Sequence, residues 1–240
     1  MAFVFVASSA SAQRLQWSEE WDRPGVSDAI STGALLTGAL AISLGADSLT
    51  SPWSEPGPLD GALAEGLSLR SARARRRAST ASYVFGGLAL SMPISDVVVA
   101  FADNTAVAAD LGQITTLSFA SVTLVTSFLK YIVLRTRPGP NECQTPDCTA
   151  SRYRSFPSGH TSLAFTAASL SCTYHLRVGI YGSRAADIAA CGTSLAFALT
   201  TAVLRMIARK HYLSDVLVGG ALGVLAGWVL PSLLYLGFGD

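Results

Sequence analysis

Three short polar clusters interrupt the apolar runs of this 240-residue chain, and their residue types converge on one kind of chemistry. The first is Lys130-Tyr131-Ile132-Val133-Leu134-Arg135-Thr136-Arg137-Pro138. Lys130 and Arg137 stand about two helical turns apart, so both can lie on one face and converge on a single anion. The second, Pro157-Ser158-Gly159-His160, has the make-up of a helix start. Pro157 ends what precedes it, Ser158 is a good N-cap, and Gly159 lets a ligand approach the backbone beside His160. Free N–H groups at such a start attract anions. The third is Arg205-Met206-Ile207-Ala208-Arg209-Lys210-His211-Tyr212-Leu213-Ser214-Asp215. His211 and Asp215 are four residues apart, one turn of helix, so the carboxylate can accept a hydrogen bond from the imidazole and fix its tautomer.

Taken singly, each cluster has a plainer meaning. Serine, glycine and histidine before an apolar run most often make a simple helix cap, and Arg209 and Lys210 are suited to lipid headgroups. His175 belongs to none of the three clusters and reads as structural. Taken together they supply three cations (Lys130, Arg137, Arg205), a helix N-terminus, two histidines and a carboxylate. That set describes a phosphate site with a nucleophile and a proton donor. It lacks the carboxylate cluster that a catalytic magnesium needs, so neither a metal nor another cofactor is expected.

The elements that must position these groups are membrane helices. Half of the residues are hydrophobic and only 14% are charged, against about a quarter in an ordinary soluble domain. Mean hydropathy is +0.41. Apolar runs long enough to span a bilayer, which takes ~20 residues, lie at about Val26–Gly45, Thr80–Ala102, Ala106–Leu134, Ser158–Leu176, Ala186–Ile207 and Tyr212–Leu236. The second is interrupted by Pro93 and carries Asp96. Their Ala, Gly, Ser and Thr content fits closely packed helices, and no strand alternation or internal repeat competes. The expectation is an all-α, six-transmembrane bundle. One domain over 26–240 follows a segment, 1–25, that combines a possible clipped signal peptide (Ala10-Ser11-Ala12) with interfacial Trp17 and Trp21. Alternation of the spans brings all three clusters to one side of the membrane.

The remaining features are peripheral to that site. Leu59–Leu69 has the composition of a short interfacial helix, and the basic run Arg70–Arg77 that of a headgroup-contacting loop. The net charge of +1 argues against a general polyanion binder, and no nucleic-acid module accompanies the arginines. Cys172 and Cys191, in apolar small-residue runs, read as ordinary buried thiols. Cys143 and Cys148 form a C-x4-C pair in a polar loop. They make a possible disulfide if that loop faces an oxidising compartment, and two free thiols otherwise.

The patterns K-x6-R-P, P-S-G-H and R-x5-H-x3-D, in this order, resemble the three motifs of the type 2 phosphatidate phosphatase superfamily, which includes acid phosphatases and vanadium haloperoxidases. The likeness covers Lys130 to Asp215 and the helices around it. One departure stands out: the third motif usually begins Ser-Arg, whereas Leu204 precedes Arg205 here. Position by position, the resemblance implies that His211 attacks phosphorus to give a phosphohistidine, with Asp215 orienting it. His160 would protonate the leaving oxygen. Lys130, Arg137, Arg205, Ser158 and the Gly159 N–H would hold the phosphoryl oxygens. The implied activity is metal-independent hydrolysis of a lipid phosphate or diphosphate such as phosphatidate, phosphatidylglycerol phosphate, an isoprenoid diphosphate or lipid A. A vanadate-dependent haloperoxidase and a membrane binding or transport protein with an inactive site are the alternatives. Partners beyond a lipid phosphate and membrane lipids are not indicated. The resemblance places the site on the extracytoplasmic face of an inner membrane, while the arginine run on the same face runs against the positive-inside tendency.

Overall fold

The structure, a computed structural model, describes residues 15–45, 53, 55–139 and 152–238. The suggested signal-peptide site and the Cys143/Cys148 pair lie outside these residues. Among those described, seven helices follow one another. They are α1 (Val26–Leu44), α2 (Pro58–Gly66), α3 (Ala72–Asp103), α4 (Thr105–Val133), α5 (Gly159–Thr173), α6 (Arg184–Ile207) and α7 (Leu213–Val224). α5 runs on through a π turn at Tyr174–Val178, and α7 through two more at Leu225–Val229 and Ser232–Leu236. The fold is the all-α membrane bundle that the hydropathy implies. Five helices, α1, α3, α4, α6 and α7 with its extension, are long and apolar enough to cross a membrane.

α5 is the exception because it is sheathed by its neighbours. It packs against α3, α4, α6 and α7, and Thr161, Ser162, Thr166 and Ser171 are fully buried on it. A helix that does not meet lipid can be rich in hydroxyls; Ser162 and Thr166 donate back to the carbonyls of Ser158 and Ser162. Gly219, Gly223 and Gly227, one turn apart on α7 and its extension, form the groove that receives it. A Cβ at Gly219 would fall 2.7 Å from the Ser158 carbonyl oxygen, and one at Gly223 2.6 Å from that of Ser162. The outer surface of the bundle carries the large apolar residues instead, among them Val98, Phe101, Leu199, Leu217 and Leu233.

Several local expectations change. Arg73, Arg75, Arg76 and Arg77 do not form a loop: they occupy the first turns of α3, capped by Ser71, whose hydroxyl accepts from Ala74 N at 3.1 Å. Arginine is a good helix former and its charge can reach past the headgroups, so the helix starts well before its apolar part. Pro93 sits inside α3 without ending it. Asn104 closes α3 and opens α4, accepting from the N–H groups of Ala106 and Val107. Cys172 and Cys191 are not separate thiols. The small residues between α5 and α6 bring their Cα atoms to 4.4 Å and the two form a disulfide.

The two ends of the bundle differ in character. At the end away from the three clusters, the buried His175 lies 2.7 Å from Asp187 and 3.1 Å from Asp96, while Arg23 pairs with Asp110. The segment before α1 is fastened there as well, Asp22 N donating to the Tyr235 carbonyl at 2.9 Å.

Candidate functional site

At the other end, the C-termini of α4 and α6 meet the N-termini of α5 and α7, and the three clusters come together. Lys130 is in the last turn of α4. The helix stops there because Leu134 adopts the left-handed conformation, φ 47°. Arg135, Thr136 and Arg137 follow outside the helix, so Lys130 and Arg137 do not share a helix face. They converge because the chain turns, and Lys130, Arg137 and Arg205 all lie within electrostatic reach of one another. Among the described residues, no carboxylate forms an ion pair with any of the three. Burial, and then the Arg205 charge, lower the pKa of Arg137 to about 10, which leaves it a cation at neutral pH.

Ser158 occupies the N-cap of α5, but its hydroxyl bonds the Thr161 hydroxyl at 2.9 Å and leaves the backbone N–H groups of the first turn uncapped. Glycine at 159 leaves room for the lysine: a Cβ there would lie 2.7 Å from Lys130 Nζ. The amine therefore rests against the start of α5. His160 is half-buried and meets the Tyr83 ring edge to face, with the ring centroids 4.8 Å apart.

His211 is not on a helix; α7 begins two residues later. Its Nδ1 lies 2.7 Å from the Ser155 carbonyl oxygen and 3.7 Å from Asp215 Oδ2. A carbonyl can only accept, so Nδ1 carries the proton and Nε2 keeps a lone pair. The carboxylate is thus close to the ring but is not its hydrogen-bond acceptor, contrary to the one-turn expectation. Nε2 points towards Arg205 Nη2 at 3.5 Å. Burial holds the imidazole pKa well below its ordinary value against the pull of Asp215, and the Arg137 and Arg205 charges add to that effect. Asp215 accepts from Arg135 Nη1 at 2.6 Å, from the Ser155 hydroxyl at 2.6 Å and from Tyr212 N at 2.8 Å.

All eight residues picked from the motifs therefore meet at one end of the bundle. Ser155, Arg135, Asp60 and Tyr83 join them without having been singled out as site residues. Arg135 and Ser155 stand within or next to the polar clusters, but no local pattern separates the part played by Arg135 from that of Arg137. Asp60 and Tyr83 come from α2 and α3, and no local pattern ties them to the clusters.

Residues 113–236 match the PAP2 superfamily, more than half of the chain and all three clusters. This chain belongs to the PAP2 superfamily. Over 82 residues it is 42% identical to a lipid A 1-phosphatase of Porphyromonas gingivalis, a match spanning 34% of this chain and 16% of that relative. Its fold is similar to that of a transmembrane PAP2-type phosphatidylglycerolphosphate phosphatase from Bacillus subtilis, with a TM-score of 0.58, 17% identity, and coverage of 84% of this chain and 94% of the other. The apolar helices and the membrane-embedded PAP2 fold make this an integral membrane protein.

Proposed function

We propose that this PAP2 protein hydrolyses a lipid phosphate or diphosphate without a metal, through a phosphohistidine on His211. The observation that carries the proposal is the unprotonated Nε2 of His211, which faces Arg205 Nη2 at 3.5 Å beside Arg137, two cations that also bear on Lys130 and His160. In the first step Nε2 forms a bond to phosphorus while the bond to the leaving oxygen breaks. His160 gives that oxygen a proton. Lys130, Arg137 and Arg205, with Ser158 and the N–H of Gly159, bind the phosphoryl oxygens as their charge is redistributed. Water then attacks the phosphohistidine, the P–N bond breaks, and inorganic phosphate leaves. Ser155 keeps the His211 proton on Nδ1, and the nearby Asp215 carboxylate stabilises the positive charge that the ring acquires. Cations in place of a carboxylate cluster support the metal-free reading.

Both relatives are named for a lipid phosphate, which supports the substrate class. Purified protein given a panel of lipid phosphates and diphosphates should release phosphate in the presence of chelator. His211→Ala should fold and release none; full turnover by that variant would end the assignment. The site is placed on the extracytoplasmic face, as the family resemblance implies, even though the arginine-rich start of α3 lies at the same end. Labelling of Cys143 and Cys148 in intact cells with a membrane-impermeant thiol reagent, after reduction, is the expected result. Protection from it would reverse the orientation.

A further inference from the structure

Arg135 is 1% exposed, yet it touches none of the groups assigned to the phosphate. Its side chain instead bonds the residues that support His211. Nη1 donates to Asp215 Oδ1 at 2.6 Å and to the Ser214 hydroxyl at 2.7 Å, and Nη2 donates to Asp60 Oδ2 at 2.7 Å. Its guanidinium lies over the rings of Trp53 and Tyr212, 4.2 Å from each. Asp60 is equally committed. Oδ1 accepts from Ser214 N at 3.0 Å and Oδ2 from the Ser214 hydroxyl at 2.5 Å, so it caps the start of α7 while it pairs with the arginine. It arrives from α2, a nine-residue helix that also borders His211 through Leu63, Ala64 and Leu67.

We infer that Arg135 and Asp60 are positioning residues for the reaction: Arg135 holds the Asp215 carboxylate beside His211, and Asp60 fixes Arg135 from α2. Asp215 cannot rotate to bond His211 Nδ1 without giving up Oδ1 to Arg135 and Oδ2 to Ser155 and Tyr212. The planar fork of an arginine can hold two carboxylates at once, which a compact ammonium cannot. The guanidinium charge thereby opposes that of Asp215 and weakens its pull towards the protonated form of His211. The other charges bearing on His211 are Arg137 after α4 and Arg205 of α6, and the variants below leave both intact.

This inference rests on the hydrolase reading above, and the test separates the two. Steady-state phosphate release from a lipid phosphate that the wild type cleaves is measured across pH for Arg135→Gln, Asp60→Asn, the double variant and His211→Ala. Arg135→Gln should lower kcat about ten- to a hundredfold, as loss of an outer-shell partner typically does, with KM nearly unchanged. It should also move the acid limb of kcat/KM upward by about one pH unit, because the carboxylate is no longer neutralised and favours imidazolium. Asp60→Asn should lower kcat about tenfold without that upward move, since it removes a negative charge. The double variant should lose no more than Arg135→Gln alone. A merely structural role would lower activity or yield and leave the limb in place. Wild-type kcat and an unmoved limb in Arg135→Gln, with His211→Ala dead, would overturn this inference alone; an active His211→Ala would overturn the hydrolase reading beneath it. Should Arg135→Gln aggregate in detergent, Asp60→Asn decides: reduced kcat at unchanged KM supports the inference, and wild-type kcat overturns it.

Discussion

The Nδ1 of His211 is held by the backbone carbonyl of Ser155, 2.7 Å away, while the Asp215 carboxylate stands off at 3.7 Å. A main-chain acceptor keeps a proton on Nδ1 whether or not Asp215 is ionised. The imidazole's orientation therefore does not depend on the ionisation of Asp215, and the carboxylate is left to act through its charge. Asp215→Asn should accordingly keep His211 in place and lose rate through electrostatics, lowering kcat without misfolding. Phosphate-release kinetics and detergent melting curves on the same preparation measure both.

The acid limb of activity should lie below the ordinary imidazole value of 6.5, because burial of His211 favours the neutral, nucleophilic form. The sign for stability follows from the same shift. The unfolded chain takes up a proton on His211 more readily than the folded one, so stability contributed above 6.5 is lost as pH falls through the window beneath it. A profile of kcat/KM against pH reads this limb.

His160→Ala should lower kcat about a hundredfold or more on a lipid phosphate, the usual worth of a general acid. An aryl phosphate, whose leaving oxygen needs no proton, should be affected much less. Comparing the two substrates on one variant separates proton donation from binding.

Gly159→Ala places a methyl group where Lys130 Nζ now sits, 2.7 Å from the ideal Cβ. The flexible amine can move aside, so melting temperature should hardly change. The displaced cation should lower kcat/KM about tenfold, in line with the ~1.5–3 kcal/mol of a hydrogen bond to a charged group. Gly223→Ala has the opposite signature. Its Cβ meets the Ser162 carbonyl and Phe165 Cβ at 2.6 Å, and neither can yield without shifting α5. That overpacking should cost about 1–3 kcal/mol of stability, read as a lower melting temperature.

The Cys172–Cys191 bridge closes a separation of 19 residues. Protein denatured without reductant should leave both cysteines unlabelled by maleimide, and removal of the bridge should cost about 3 kcal/mol on the chain-entropy account.

The spans, their order and the eight motif residues were legible because apolar length and fixed spacing are properties of the chain itself. Where the sequence misled, a neighbour in space had intervened. Lys130 and Arg137 were expected on one helix face, but Leu134 ends the helix between them. His211 and Asp215 were expected to bond across one turn, but the carbonyl of Ser155, far away in sequence, accepts that hydrogen bond. Asp60 was illegible for the same reason: nothing near it indicates that α2 folds back onto Arg135. The arginines at 73–77 were taken from the helix because they are polar, although polarity at a helix start is tolerated wherever the headgroups begin.

The central helix α5 is fastened along its whole length. Lys130 rests on its first residue, the glycine groove of α7 grips its middle, and the Cys172–Cys191 bridge and the His175–Asp187 contact clamp its far end. It is a strut held by packing at one end, in its middle and by a covalent bridge at the other. Any gate through which a bulky lipid reaches the pocket must therefore open at the periphery, by motion of α1, α2 or the upper part of α3, while the half of the site borne by α5 stays still.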